Sequence, residues 1–275
     1  MRLVIEIIKI LMYNSEEIRR RIIMTRIDLF KKHLEEKRAV KVIAGIDNFD
    51  VESVRKVVAA AENTGASAVD ICADENIVKM VREMTDMPVF VSSIVPEELC
   101  RAAELGADAI ELGNFDVLYK TGKTFTADEV LRLTKQTLEL LNGKEIFFSV
   151  TIPGEIEINE QITLARELET LGIDLLQTEG HFAKEDPATG VRGLMERVEL
   201  TISNTVELVR NVELPVMTAT GINPTTAPFA FAAGASAIGC GSCINKLNSE
   251  LSMMATSKQL VEIASKNAQR IAELV

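Results

Sequence analysis

Gly-Ala or Gly-Ile followed by an apolar run recurs four times along the chain, and this repeat constrains the fold more than any other feature. It stands at Gly65-Ala66-Ser67-Ala68-Val69, Gly106-Ala107-Asp108-Ala109-Ile110, Gly172-Ile173-Asp174-Leu175-Leu176 and Gly234-Ala235-Ser236-Ala237-Ile238. Each copy follows a stretch rich in Ala, Glu and Leu with helical spacing. The pattern reads as a helix ending at a glycine able to adopt positive φ, then a tight turn into a buried strand. Between copies lie Met87-Pro88-Val89-Phe90-Val91 and Leu214-Pro215-Val216-Met217, where a proline opens a strand without removing a ladder bond. Adding Val40–Asp47 and Glu145–Ile152 brings the count to eight strands separated by helical patterns. The glycine turns precede the even strands, and Pro-Val precedes the third and seventh.

Strand–helix alternation implies parallel strands with right-handed crossovers, and eight of them close an α/β TIM barrel, (β/α)8. A doubly wound open sheet is the alternative, but neither a GxGxxG turn nor a P-loop supports it. The expected organisation is an N-terminal extension over residues 1–38, the barrel over 39–255 and a C-terminal helix over 256–275. The extension carries an amphipathic helix across Asn14–Arg38, capped by Asn14, with Ile18, Ile22, Phe30 and Leu34 as its apolar stripe. Both terminal helices are expected to pack on the barrel bottom or outside, or to form an oligomer contact.

With 41 acidic against 30 basic residues the net charge is −11, which argues against a nucleic-acid partner. The apolar start, Met1 to Met12, is too short to span a bilayer, is interrupted by Glu6 and Lys9, and lacks the build of a signal peptide. No membrane partner is expected. Cys72, Cys100, Cys240 and Cys243 sit mostly among apolar neighbours, as reduced thiols do. The Cys240-x-x-Cys243 pair has no second pair or nearby histidines to complete a metal site.

Barrel chemistry sits at the carboxyl ends of the strands, and strand side chains alternate inward and outward. Asp70, Glu111 and Gln177 each interrupt an apolar run at the third position of an even strand, so they should share one interior layer. Lys41, Ser149, Thr151, Thr218 and Thr220 have matching parity. A buried lysine with carboxylates must be paired or functional. One reading is a network that fixes strand register; the other is a general acid/base shifted by its surroundings. Glu179 and Asp47, nearer the strand ends, are the foremost catalytic candidates, joined by Glu111, Asp70 and His181. Asn114, Thr151, Gln177, Thr218 and Thr220 would orient a substrate. Lys41 lies too early in its strand for a Schiff base, and no lysine lies on strand six. His33 is expected on the surface.

Two glycine-containing turns suggest a phosphate pocket: Thr218-Ala219-Thr220-Gly221-Ile222-Asn223 after strand seven and Gly239-Cys240-Gly241-Ser242-Cys243 after strand eight. Backbone N–H groups around Gly221, Ile222, Gly241 and Ser242, with the dipole of a helix opening at Ser242, would hold the anion. The long loop His181–Arg192, with Lys184, Gly190 and Arg192, reads as a lid. Lys120 and Lys123 flank Gly122 in the strand-four loop, before a capping box at Thr126 and Glu129.

Several stretches are similar, in order, to the hypothetical chloroplast reading frame twenty-three family. They are Lys41-Val42-Ile43-Ala44-Gly45-Ile46-Asp47-Asn48-Phe49-Asp50, Val69-Asp70-Ile71-Cys72-Ala73-Asp74 and Glu111-Leu112-Gly113-Asn114-Phe115-Asp116. Ser149-Val150-Thr151-Ile152-Pro153, Gln177-Thr178-Glu179-Gly180 and Gly239-Cys240-Gly241-Ser242-Cys243-Ile244-Asn245 continue the series. The resemblance runs roughly from Leu34 to Ala255 and implies an aldolase-type barrel of a plastid stroma or cyanobacterial cytoplasm. Pro153-Gly154 departs from the Pro-His expected there, which removes an ionisable group. Three functions remain open at this point. The first is an enzyme doing proton-abstraction chemistry on a small phosphorylated metabolite, as isomerase, epimerase, lyase or synthase. The others are an oxidoreductase holding FMN in the same pocket, and a non-catalytic metabolite sensor or assembly protein.

Overall fold

Eight parallel strands hydrogen-bond in sequence order and close through a β1–β8 ladder. They are β1 (Ala39–Gly45), β2 (Ala68–Cys72), β3 (Val89–Ser93), β4 (Ala109–Leu112), β5 (Phe147–Ile152), β6 (Leu175–Thr178), β7 (Val216–Thr218) and β8 (Ala237–Cys240). The computed structural model describes residues 25–119, 121–180 and 188–274. Helix α1 (Arg26–Glu35) precedes β1, and α2 (Val51–Glu62), α3 (Glu75–Met84) and α4 (Pro96–Glu104) follow the first three strands. After β4 come a single turn, α5 (Asp116–Tyr119), and then α6 (Ala127–Leu141). The remainder are α7 (Ile158–Thr170), α8 (Gly190–Asn211), α9 (Ala227–Ala232), the short α10 (Ser242–Asn245) and α11 (Glu250–Ala272).

The repeat has a mechanical meaning. Gly65, Gly106, Gly172 and Gly234 all adopt positive φ, between 73° and 99°, and turn the chain from helix to strand. The polar residue two places on then grips the preceding strand. The N–H of Ser67, Asp108, Asp174 and Ser236 donates to the carbonyl of Val40, Val89, Phe148 and Val216, respectively. In three copies the side chain also accepts that residue's N–H: Ser67 from Val40 at 2.9 Å, Asp108 from Val89 at 2.9 Å and Asp174 from Phe148 at 2.8 Å. Odd and even strands are thus clamped in pairs at their amino-terminal ends.

The barrel bottom is closed by a plug. Ala39, Ala68, Phe90, Ala109, Phe147, Leu175, Met217 and Ala237, one from each strand, point inward around Phe30 and Leu34 of α1. Phe30 meets Phe90 and Phe147 edge-on, with centroids 4.9 and 5.7 Å apart. Among the described residues, Thr25 caps α1 in a capping box with Asp28, and the helix ends at Glu35, short of Arg38. Asn14, Ile18 and Ile22 lie outside the described residues. His33 is buried, not on the surface: its Nδ1 lies 2.7 Å from the Ser67 hydroxyl. That hydroxyl oxygen accepts from Val40, leaving its proton to donate to an unprotonated Nδ1. Burial pushes His33 down to about 4. The C-terminal helix starts earlier than expected, at Glu250, and packs between α2 and α9 to close the outer ring.

Candidate active site

Above the plug, the inward positions turn polar. Lys41 of β1, Asp70 of β2, Ser92 of β3, Glu111 of β4, Ser149 of β5 and Gln177 of β6 are all buried, and hydrogen bonds join them. Lys41 Nζ donates to Glu111 Oε2 at 2.6 Å and lies 3.8 Å from Asp70 Oδ2. Ser149 donates to the same Glu111 oxygen at 2.8 Å, and Ser92 donates to Asp70 Oδ1 at 2.5 Å. Asn114, whose φ is +60°, brings Nδ2 within 3.0–3.3 Å of Ser92, Glu111 and Asp70. Its Oδ1 accepts from Gln177 Nε2 at 3.0 Å, and Gln177 also donates to Thr151 at 3.2 Å. Asparagine tolerates this left-handed backbone better than most residues, and strain of this kind gathers at functional positions. The interior layer expected from parity therefore forms, with Ser92 added from the next strand.

Desolvation pushes Asp70 up to about 6, although Lys41 opposes the shift. Folded protein thus holds a proton that the unfolded chain releases near pH 4. The Asp70 contribution to stability is fully present below about pH 4 and lost as pH rises through about 6. It amounts to up to about 3 kcal/mol. Asp70→Asn should remove that fall in urea-unfolding free energy between pH 4 and 7 relative to wild type; parallel pH profiles would refute the assignment. His33 works with opposite sign, losing stability as pH falls from about 6.5 to about 4, so the difference between the two proteins isolates Asp70.

Glu179 crowns this layer just past the end of β6. Its Oε1 accepts the Tyr119 hydroxyl from α5, while its buried Oε2 has no hydrogen-bond partner among the described residues. Burial first, and the nearby Asp116 carboxylate second, push Glu179 well above the ordinary carboxyl range. Such a raised carboxyl is a candidate for proton transfer. Thr220, at φ +67°, donates to Asp116 Oδ2 at 2.9 Å and ties the β7 loop to the β4 loop. Gly154 leaves room for none of the histidine expected there: a Cβ would lie 2.6 Å from the Glu179 carbonyl oxygen.

Other expected site residues are placed differently. Thr218 is corrected to an outward position, because β7 turns Met217 and Ala219 inward; its hydroxyl lies 2.8 Å from that of Thr205 on α8. Asp47 is exposed in the turn after β1 and does not join the interior network. His181, Lys120 and Lys184 lie outside the described residues. Arg192 is exposed and paired with Glu196 at 2.9 Å, and Lys123 sits 4.8 Å above the Phe125 ring. Tyr119 carried no sequence signal, since its role depends on how a one-turn helix folds back over the mouth. Among the described residues no group of His, Cys, Asp and Glu side chains gathers as metal ligands.

The two anion-loop candidates lie side by side on β7 and β8. Gly221 adopts φ +77°, and Asn223 and Thr226 hydrogen-bond its carbonyl, at 3.2 and 2.9 Å. The N–H groups of Gly221 and Ile222 reach no acceptor among the described residues. The β8 loop is pinned to β1 by Asn245, whose Nδ2 donates to the Ile43 and Ala44 carbonyls, both at 3.1 Å. The helix expected to open at Ser242 is a single turn, α10, so its N–H groups, not a long-helix dipole, are what it offers.

The closed topology, with a polar interior centred on Lys41, Asp70 and Glu111 and a carboxyl at the mouth, defines a (β/α)8 barrel with a candidate site at the carboxyl ends of its strands. More particularly, the chain belongs to the family described as protein of unknown function DUF561, which matches residues 24–270. It is 36% identical over 219 residues to "Uncharacterized protein ycf23" of Pyropia yezoensis, covering 80% of each chain. It is 39% identical over 222 residues to the ycf23 protein of Cyanophora paradoxa, covering 80% of this chain and 90% of that one. Among solved structures, 3-hexulose-6-phosphate synthase from Salmonella typhimurium superposes with a TM-score of 0.59 at 11% identity, over 83% of this chain and 99% of that one. Thiamine phosphate pyrophosphorylase from Pyrococcus furiosus gives 0.55 at 20% identity, over 85% and 98%. At such identities the likeness is one of fold. Among the described residues, no helix is long and apolar enough to cross a membrane.

Proposed function

We propose that the protein is an enzyme that moves protons on a small phosphorylated metabolite, as an isomerase, epimerase, lyase or synthase. The observation that carries this reading is Glu179, a buried carboxyl at a strand's carboxyl end, raised well above the ordinary carboxyl range, with one oxygen that has no hydrogen-bond partner among the described residues. Such a group can give a proton to a substrate oxygen or carbon and take one back. Asp70, ionised above about pH 6, is the second carboxyl with a shifted titration, linked to Gln177 through Asn114. The N–H groups of Gly221, Ile222, Gly241 and Ser242 would hold the phosphate. Relatives in Pyropia yezoensis and Cyanophora paradoxa support a plastid stroma or cyanobacterial cytoplasm as its place of work.

The test is deuterium wash-in from heavy water across a panel of triose to hexose phosphates, read by mass spectrometry. Wild type should exchange at least one of them, and Glu179→Gln should slow that exchange by a factor of about 100 or more. Absence of exchange across the panel would overturn proton transfer; undiminished exchange by the variant would remove Glu179 from it.

A further inference from the structure

Gln177 Oε1 and Glu179 Oε2 are buried oxygens without a hydrogen-bond partner among the described residues, in residues only 1% and 2% exposed. Gln177 lies on β6, and Glu179 follows one residue beyond that strand's end. Gln177 Oε1 faces β8 where Gly239 has no side chain; a Cβ built there would lie 3.3 Å from it. Glu179 reaches the other way, toward Tyr119 in the β4 loop. A ligand held by the β7–β8 glycine loops and extending toward β4 passes both oxygens.

We infer, resting on the phosphate-anchored reading above, that the deep end of the substrate is a hydroxyl-bearing chain and not a carboxylate. Asp70 and Glu111 line the deep end of this region, and Lys41 is the only buried cation among the described residues. Glu111 already engages it at 2.6 Å. A ligand carboxylate would set another negative charge against these groups with no cation to receive it, and it could donate nothing to Gln177. An ammonium would donate to Gln177 but could not accept from a protonated Glu179. A hydroxyl does both. The Tyr119 hydroxyl already donates to Oε1, so Oε2 is the Glu179 oxygen left to donate to the ligand.

The test is calorimetric titration of the full chain with inorganic phosphate, D-ribitol 5-phosphate and 2-phosphoglycolate. Ribitol 5-phosphate should bind about tenfold tighter than inorganic phosphate, and phosphoglycolate no tighter than inorganic phosphate. Gln177→Leu should erase the advantage of the polyol while leaving inorganic phosphate unchanged. If that variant does not fold, Glu179→Leu serves: losing the donor at Oε2 should bring ribitol 5-phosphate down to the affinity of inorganic phosphate, which stays unchanged. Inorganic phosphate binding with no gain from the polyol, a tighter phosphoglycolate, or an undiminished polyol advantage in the Gln177 or Glu179 variant would each overturn this inference alone. Failure of all three ligands to bind would overturn the phosphate-anchored reading beneath it.

Discussion

Replacing Lys41 with Met is expected to lower the unfolding free energy by about 3–5 kcal/mol, the range for removing one partner of a buried ion pair. The reason is what stays behind. Glu111 is 0% exposed and Asp70 is 1% exposed, so without the ammonium the interior keeps two carboxyl groups that water cannot reach. The variant should recover stability toward acid, where these groups take up protons, and lose it steeply as pH rises. Pairing Lys41→Met with Glu111→Gln removes the leftover charge as well, and the double variant should regain part of the loss. Urea unfolding at pH 5 and 8 checks both points. A Lys41→Met protein within about 1 kcal/mol of wild type would mean the pair is already open to solvent.

Phe30→Ala should cost about 3–5 kcal/mol, as removal of a fully buried aromatic side chain does. Phe30 belongs to no strand, yet it fills the ring made by the lowest inward residue of each. Its loss leaves a void under Phe90, whose ring lies 5.0 Å from the Lys41 ammonium. Water entering from below would then reach the ion pair, so the variant should also weaken the pH dependence assigned to Asp70. Leu29→Ala, one residue earlier on the same helix but 41% exposed, is the control and should change stability by no more than about 0.5 kcal/mol. Equal effects at the two positions would refute the plug.

What could be read beforehand follows from which features are local. The barrel was legible because its punctuation is local: Gly65, Gly106, Gly172 and Gly234 turn the chain within a few residues. Strict period-two alternation likewise exposed Lys41, Asp70, Glu111 and Gln177 as one interior layer, and the same rule applied to β3 would have added Ser92. It failed at β7. Two hydroxyls, Thr218 and Thr220, invited an inward reading, but pairing with β8 turns Met217 inward, and α8 supplies Thr205 to receive Thr218. His33 was misplaced because its partner, Ser67, lies 34 residues away across a strand junction. Tyr119 was invisible for a related reason: only the folded β4 loop brings it to Glu179, 60 residues on. Distances closed by tertiary folding leave no trace in spacing.

The clamps that Ser67, Asp108, Asp174 and Ser236 place on the preceding strands divide the barrel into four two-strand modules. The candidate anion loops both belong to the last module, β7–β8. Glu179 comes from the third, Glu111, Asn114 and Tyr119 from the second, and Lys41 and Asp70 from the first. Under the proposed function, anchoring and reactivity would therefore be written on separate pieces of the chain. Such a division of labour lets the reacting groups drift in sequence while the grip on a common handle is inherited unchanged, and one scaffold can try new reactions without relearning how to hold its substrate.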